Sequence, residues 1–205
     1  MDSLRLLLVD NYDSFVYNIA GILSECRQLI DFEVEYVVCR NDNIPFGELD
    51  VYDAVIISPG PGLPSEANDL MKVAGRCVST HPMLGICLGF QALVECFGGR
   101  IVRLSCPRHG HRSMLRGISS DDRLFAGIEE GSAVVGRYHS WVADEVSFPR
   151  ELAVTSRDED GNIMSFSHVS LPIYGVQFHP ESYISNCGCR LIANFLAEAY
   201  RIKVS

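Results

Sequence analysis

Residues 82–97 read PMLGICLGFQALVECF. From Pro82 to Cys87 the run is apolar without alternation, the pattern of a strand buried on both faces. A helix from Leu88 to about Phe97 follows at once, with no residues left over for a loop. Cys87 therefore stands on the turn itself, with Gly85 two positions before it and Gly89 two after. A cysteine that only fills a core behaves as a small hydrophobe and needs no flanking glycines. A residue on a sharp strand-to-helix turn does need them, because its side chain is thrown outward while its neighbours are crowded, as at the G-x-S-x-G elbow of serine hydrolases. The helix beginning at Leu88 turns its unpaired N–H groups and the positive end of its dipole towards the sulfur, which favours thiolate. The Leu88 N–H is then a candidate oxyanion donor. On these residues alone, a tight turn around a buried structural cysteine stays open as the alternative.

The surrounding chain repeats the strand-then-helix alternation. LRLLLVD (4–10) is a second doubly buried strand, and Ser14 is placed to cap a helix reaching about Cys26 with Phe15, Ile19, Ile22 and Leu23 on one face. EVEYVV from Glu33 and YDAVIIS from Tyr52 read as strands, a helix fits Glu66 to about Ser79, and RIVRL (100–104) is a strand after the Cys87 helix. This order predicts an α/β fold, an open and mostly parallel sheet flanked by helices. The second half changes character. SAVVGRYHS, ELAVTSRD and NIMSFSHV read as strands joined by short connections, with Asp160-Gly161 as a hairpin signal. Additional antiparallel strands are expected there. IYGVQFHPE is a further strand, and a helix from about Cys187 to Tyr200 closes the chain. No repeat, low-complexity tract or linker interrupts it, so residues 1–205 read as one domain.

The 205 residues are 47% hydrophobic and carry a formal net charge of -9. No long basic run occurs, which argues against nucleic acid and anionic membrane as partners. The apolar run closed by Asp10 is too short for a signal peptide or a span, so a cytoplasmic protein is expected. Of the eight cysteines most lie in apolar or helical segments, and free thiols fit an intracellular chain better than disulfides. The nearest approach to a metal cluster is Cys106, His109 and His111 in CPRHGH, with Cys187 and Cys189 as further ligands; the spacing is unusual, and no metal site is assigned.

A cysteine nucleophile needs a base held by an orienting group. GVQFHPES supplies both. Pro180 biases His179 to extended geometry, in which residues two apart face one side, so Glu181 can hold one imidazole nitrogen and leave the other for sulfur. A surface His-Glu pair is the plainer reading. His81 reads as a loop residue and His168 as a strand-face residue. SPGPG (58–62) follows a buried strand, and its glycines allow close backbone approach to a ligand, with the Gly60 N–H as a second oxyanion donor.

Together DNYDSF (10–15), SPGPG (58–62), GICLGFQ (85–91), RYHS (137–140) and FHPES (178–182) resemble the motifs of the class I glutamine amidotransferases. The match is close to component II of anthranilate synthase and of aminodeoxychorismate synthase, and it covers nearly the whole chain. The resemblance implies a flavodoxin-like core. It also implies Cys87 as nucleophile, His179 as acid/base, Glu181 as its orienter, and Gly60 and Leu88 as oxyanion-hole donors. Gly60, Pro61, Gly62, Gln91, Ser140 and Trp141 fall where such proteins hold glutamine. The implied reaction is hydrolysis of L-glutamine through a γ-glutamyl thioester, with ammonia passed to a large chorismate-binding partner subunit. No cofactor is implied for this chain. Three positions depart from the pattern: Phe90 replaces a histidine, Trp141 a leucine-like residue, and His109-Gly110-His111 an H-G-K stretch. A cysteine hydrolase of another amide or ester, and a non-catalytic binding module, are the competing readings.

Overall fold

A computed structural model describes residues 3–205 of the chain. The apolar run at the start forms β1 (Ser3–Asp10), followed by α1 (Val16–Glu25), β2 (Glu33–Arg40), β3 (Ala54–Ile57), α2 (Leu70–Cys77), β4 (Met83–Ile86) and α3 (Leu88–Cys96). Then come β5 (Ile101–Met114), β6 (Val134–Ala143), β7 (Leu152–Arg157), β8 (Ile163–His168), β9 (Ile173–Val176) and α4 (Gly188–Lys203). A seven-stranded sheet has the order β2-β1-β3-β4-β9-β8-β7. Its first five strands are parallel, while β8 and β7 extend it antiparallel beyond β9. The parallel part has the 2-1-3-4-5 winding of flavodoxin-like sheets. A separate antiparallel ribbon pairs β5 with β6.

The continuous apolar runs are explained by two cores. Leu4, Leu6 and Leu8 of β1 and Ile86 of β4 face the core that holds Ile19 and Leu23 of α1 and Leu191 and Phe195 of α4. Leu7 and Val9 face the opposite core, with Val73 of α2 and Leu93 of α3. Because successive side chains point to opposite faces, both sets must be apolar where helices cover both sides.

Four local expectations are corrected. Ser14 does not cap α1: the Asp13 carboxylate accepts from the Phe15 N–H at 2.8 Å, and the helix begins at Val16. Phe15 consequently leaves the apolar face of the helix and lies against Tyr138 and His179. The helix expected from Glu66 is delayed to Leu70, because 64–66 form a 3-10 turn and Asn68 takes a left-handed φ of 45° that no α-helix can run through. RIVRL is only the start of β5, which continues through CPRHGH to Met114. Among the described residues the ribbon has no third strand, so it tolerates Pro107 within a register shift between Arg103 and Arg108, and Gly110 at φ 68° within a second. Finally, β9 ends at Val176, three residues before His179.

Candidate active site

The turn at Cys87 is as tight as its glycines suggest. Cys87 has φ 52° and ψ −98°, a strained conformation for a residue with a Cβ. A Cβ on Gly85 would lie 2.5 Å from the carbonyl carbon of Gly89, and one on Gly89 would overlap the Ile57 carbonyl oxygen. Glycine at both positions lets β4 turn into α3 while α3 stays pressed on β3. Cys87 is left at the N-terminus of α3, at the carboxyl edge of the parallel strands, where open α/β sheets bind ligands.

The loop after β3 reaches the same edge. A Cβ on Gly60 would lie 2.5 Å from Leu88 Cδ2 and 2.6 Å from Asn11 Cβ, so the two expected oxyanion donors, Gly60 and Leu88, are packed together. Asn11 holds the loop in place: its Nδ2 donates to the Ser58 carbonyl at 2.8 Å, its N–H donates to Ser58 Oγ at 3.0 Å, and its Oδ1 accepts from Asn41 Nδ2 at 2.9 Å.

His179 is delivered by a different route from the one expected. Its N–H donates to the Gly136 carbonyl of β6 at 2.9 Å, in an isolated bridge beyond the end of β9. Glu181 meets it through a β-turn closed by the Ser182 N–H on the His179 carbonyl at 3.2 Å, with Pro180 as the first corner residue. The turn, rather than extended alternation, brings His179 Nδ1 to 2.7 Å from Glu181 Oε1. A carboxylate only accepts, so Nδ1 carries the proton and Nε2 faces the chemistry. Nε2 makes no hydrogen bond to the described residues. Phe15 and Tyr138 close on the ring, each with its centroid 4.9 Å away at a steep angle. Burial disfavours the imidazolium, but the negative charge at Cys87 and the Glu181 carboxylate outweigh it and push the His179 pKa up to about 10.

Gly60, Pro61, Gly62, Cys87, Gln91, Ser140 and Trp141 line one cavity of about 170 Å³. His179 and Glu181 are buried, with the His179 ring against the wall residue Tyr138, and Leu88 packs against Gly60. The cavity has three further wall residues, His109, Tyr138 and His139, to which the sequence gives either no role or a different one. The sequence groups His109 with Cys106 and His111 as potential metal ligands. Among the described residues no three His, Cys, Asp or Glu side chains are placed to share a metal. His109 instead turns to Ser140, with Nε2 3.3 Å from Oγ, and Cys106 is exposed. Cys189 lies by Cys26. All eight cysteines are free.

Of the unusual positions, Phe90 is buried against Phe166, with ring centroids 5.1 Å apart, and takes no part in the cavity. Trp141 contributes its backbone carbonyl, which accepts from Gln91 Nε2 at 3.1 Å and from His139 Nδ1 at 3.0 Å. Gln177 is a further residue that sequence reasoning misses. It is fully buried, and its Nε2 lies 3.7 Å from Cys87 Sγ. A signal for it exists: a glutamine in the middle of the apolar run IYGVQF.

The arrangement sets a cysteine at a helix N-terminus, an imidazole hydrogen-bonded to a carboxylate, and a glycine loop beside them. Residues 7–199 match the family described as Glutamine amidotransferase class-I, and the chain belongs to that family. It is 38% identical to the aminodeoxychorismate/anthranilate synthase component 2 of Bacillus subtilis, over 97% of this chain and 98% of that protein. It is 41% identical to the bifunctional protein TrpGD of Thermotoga maritima over 94% of this chain, and it spans 32% of the length of that longer relative. Among solved structures, a GMP synthase-type protein from Thermoplasma acidophilum superposes with a TM-score of 0.86 at 25% identity, covering 99% of this chain and 97% of the other.

Proposed function

We propose that this chain is the glutamine-hydrolysing subunit of a chorismate-aminating synthase. The observation that carries the reading is the one cavity that joins Cys87 to Gln91, Ser140 and Trp141, with the ring of the Glu181-bonded His179 against its wall residue Tyr138. Its size suits a small amino acid rather than a polymer. The relatives named as component 2 of anthranilate or aminodeoxychorismate synthase support the chorismate-binding partner.

In this reading the Cys87 thiolate attacks the side-chain amide carbon of glutamine. The N–H groups of Gly60 and Leu88 stabilise the tetrahedral oxyanion. The imidazolium of His179 gives its Nε2 proton to the departing nitrogen, and ammonia leaves behind a γ-glutamyl thioester. His179, now neutral, takes a proton from water; the hydroxyl attacks the thioester, and glutamate and the thiolate are regenerated. The chemistry draws on side chains and backbone alone, without a cofactor.

The test is glutaminase activity of the purified chain, alone and with a chorismate-binding large subunit, together with labelling by an electrophilic glutamine analogue. Turnover stimulated by the partner and a label mapped to Cys87 are expected. Burial pushes the thiols of Cys77 and Cys187 up to about 11 and raises those of Cys39 and Cys96, so they compete poorly. A label centred on Cys96 or Cys106, or Cys87→Ser protein that still hydrolyses glutamine, overturns the proposal.

A further inference from the structure

Among the described residues the Cys87 sulfur accepts a well-formed hydrogen bond from Gln177, while the nearby His179 Nε2 is not aligned for one. The direction of that bond is dictated from elsewhere. Arg137 can only donate, and its Nε lies 3.1 Å from His139 Nε2, which must therefore accept. The proton of neutral His139 then sits on Nδ1 and is donated to the Trp141 carbonyl at 3.0 Å. That carbonyl, which can only accept, also takes the Gln91 amide at 3.1 Å, and the same Gln91 amide donates to Gln177 Oε1 at 3.2 Å. Gln177 is left with its NH₂ group turned to Cys87 Sγ at 3.7 Å. No link can be reversed without setting donor against donor or acceptor against acceptor.

We propose that Gln177 is the positioning residue of the nucleophile: its amide donates to the Cys87 sulfur, favouring thiolate and aiming it into the cavity, while Gln91 holds that amide in orientation. A side chain that merely filled this space would be apolar, because burying an amide is costly unless it is satisfied. A charged sulfur is a far better acceptor than a thiol, so the bond is worth most in the reactive state. Gln91 spends its donors on this chain and keeps its carbonyl oxygen for a ligand in the cavity that it lines. The proposal rests on Cys87 being the nucleophile.

The titratable groups around the sulfur are His179 with Glu181 behind it, His139 on β6, and His109 and Tyr138 in the cavity wall. The measurement is the rate of Cys87 alkylation by iodoacetamide as a function of pH, read by peptide mapping. Gln177→Met keeps the volume and removes the donor. Its profile should move up by about one pH unit, a tenfold lower thiolate fraction near neutrality. Gln177→Glu sets a carboxylate oxygen against the sulfur and should move it further. Glutaminase kcat should fall in both while KM changes little. A folded variant of either kind that alkylates on the wild-type profile overturns the proposal. Wild-type protein offers a route that needs no variant. Its ¹⁵N-labelled Gln177 side-chain amide should shift with Cys87 ionisation and lose that step in Cys87→Ser protein; an amide unresponsive in both also overturns it. Glutaminase surviving in Cys87→Ser would instead refute the nucleophile assignment, and the alkylation profiles would still decide what Gln177 does.

Discussion

His179 and Glu181 share one task unequally. In the proposed mechanism the imidazole moves the proton, whereas the carboxylate fixes the tautomer and favours the charged ring, so the two should fail differently. Glu181→Gln can still hydrogen-bond to Nδ1, but it loses the charge and can stabilise the wrong tautomer. His179→Ala removes the proton carrier altogether. By analogy with serine protease triads, losses of about 10⁴-fold for Glu181→Gln and about 10⁶-fold for His179→Ala in kcat are expected. Steady-state glutaminase rates check this, and the reverse order would reassign the roles. Much of this pair is readable from HPES, but the reason for its geometry is not. Whether two residues meet by extended alternation or across a turn depends on the Gly136 carbonyl that takes the His179 N–H from a distant strand.

The β4–α3 junction is where local sequence and packing agree most tightly. Gly89 has no room for a methyl group beside the Ile57 carbonyl and side chain, so Gly89→Ala must push α3 off β3. A loss of about 1–3 kcal/mol is expected, read as a lowered midpoint in urea, with activity falling further because Cys87 moves with the helix. Unchanged stability would mean the helix is not seated as described. The β5–β6 ribbon is the opposite case. Its register shifts and the length of β5 follow from pairing with β6, whereas CPRHGH alone suggests only a weak ligand cluster. Arg137, fully buried on β6, pairs with Asp158, which also accepts from the N–H groups of Asp160 and Asn162. The ribbon is thereby fastened to the β7–β8 hairpin, and the Asp160-Gly161 turn seen in the sequence acquires a second partner. Truncating Arg137 to Met should cost about 3–5 kcal/mol, since Asp158 would be left as an uncompensated buried charge. Calorimetry of the variant decides it, and a wild-type melting point would refute the argument.

Two histidines with opposite shifts should shape the stability of the whole molecule. Burial, reinforced by Arg137, lowers the His139 pKa from 6.5 to about 3. The unfolded chain therefore takes up a proton that the folded one refuses, and this contribution is present above pH 6.5 and lost as the pH falls towards 3. His179, raised to about 10, contributes below pH 6.5 and loses its contribution as the pH rises through 10. Tm plotted against pH should be highest near the point where the two limbs meet. His139→Gln should flatten the acid limb by up to one proton, and Cys87→Ser should flatten the alkaline limb by removing the charge opposite His179. Limbs unchanged in these variants would disprove the assignment. At the level of the complex, Cys87→Ser should abolish glutamine-dependent synthesis yet spare synthesis driven by ammonium salt at alkaline pH. Loss of both by a variant that still binds the large subunit would mean the chain does more than supply ammonia.

The covalent order of the chain determined a good deal alone. Doubly apolar strands alternating with helices imply a covered parallel sheet, because only helices on both faces can bury LRLLLVD and PMLGIC. Glycines on both sides of Cys87 imply an elbow, because only glycine fits beside so sharp a turn. These are local and periodic constraints, and they are written in adjacent residues. The tertiary structure alone decided which polar residues converge. Gln177, Gln91, Trp141, His139 and Arg137 form one directed hydrogen-bond chain drawn from β6, α3 and the segment after β9. His109 belongs to the cavity rather than to a metal site because β5 pairs with β6 over its length. Hydrogen-bond direction depends on which acceptor lies opposite which donor, and that is settled only when distant strands are brought into register.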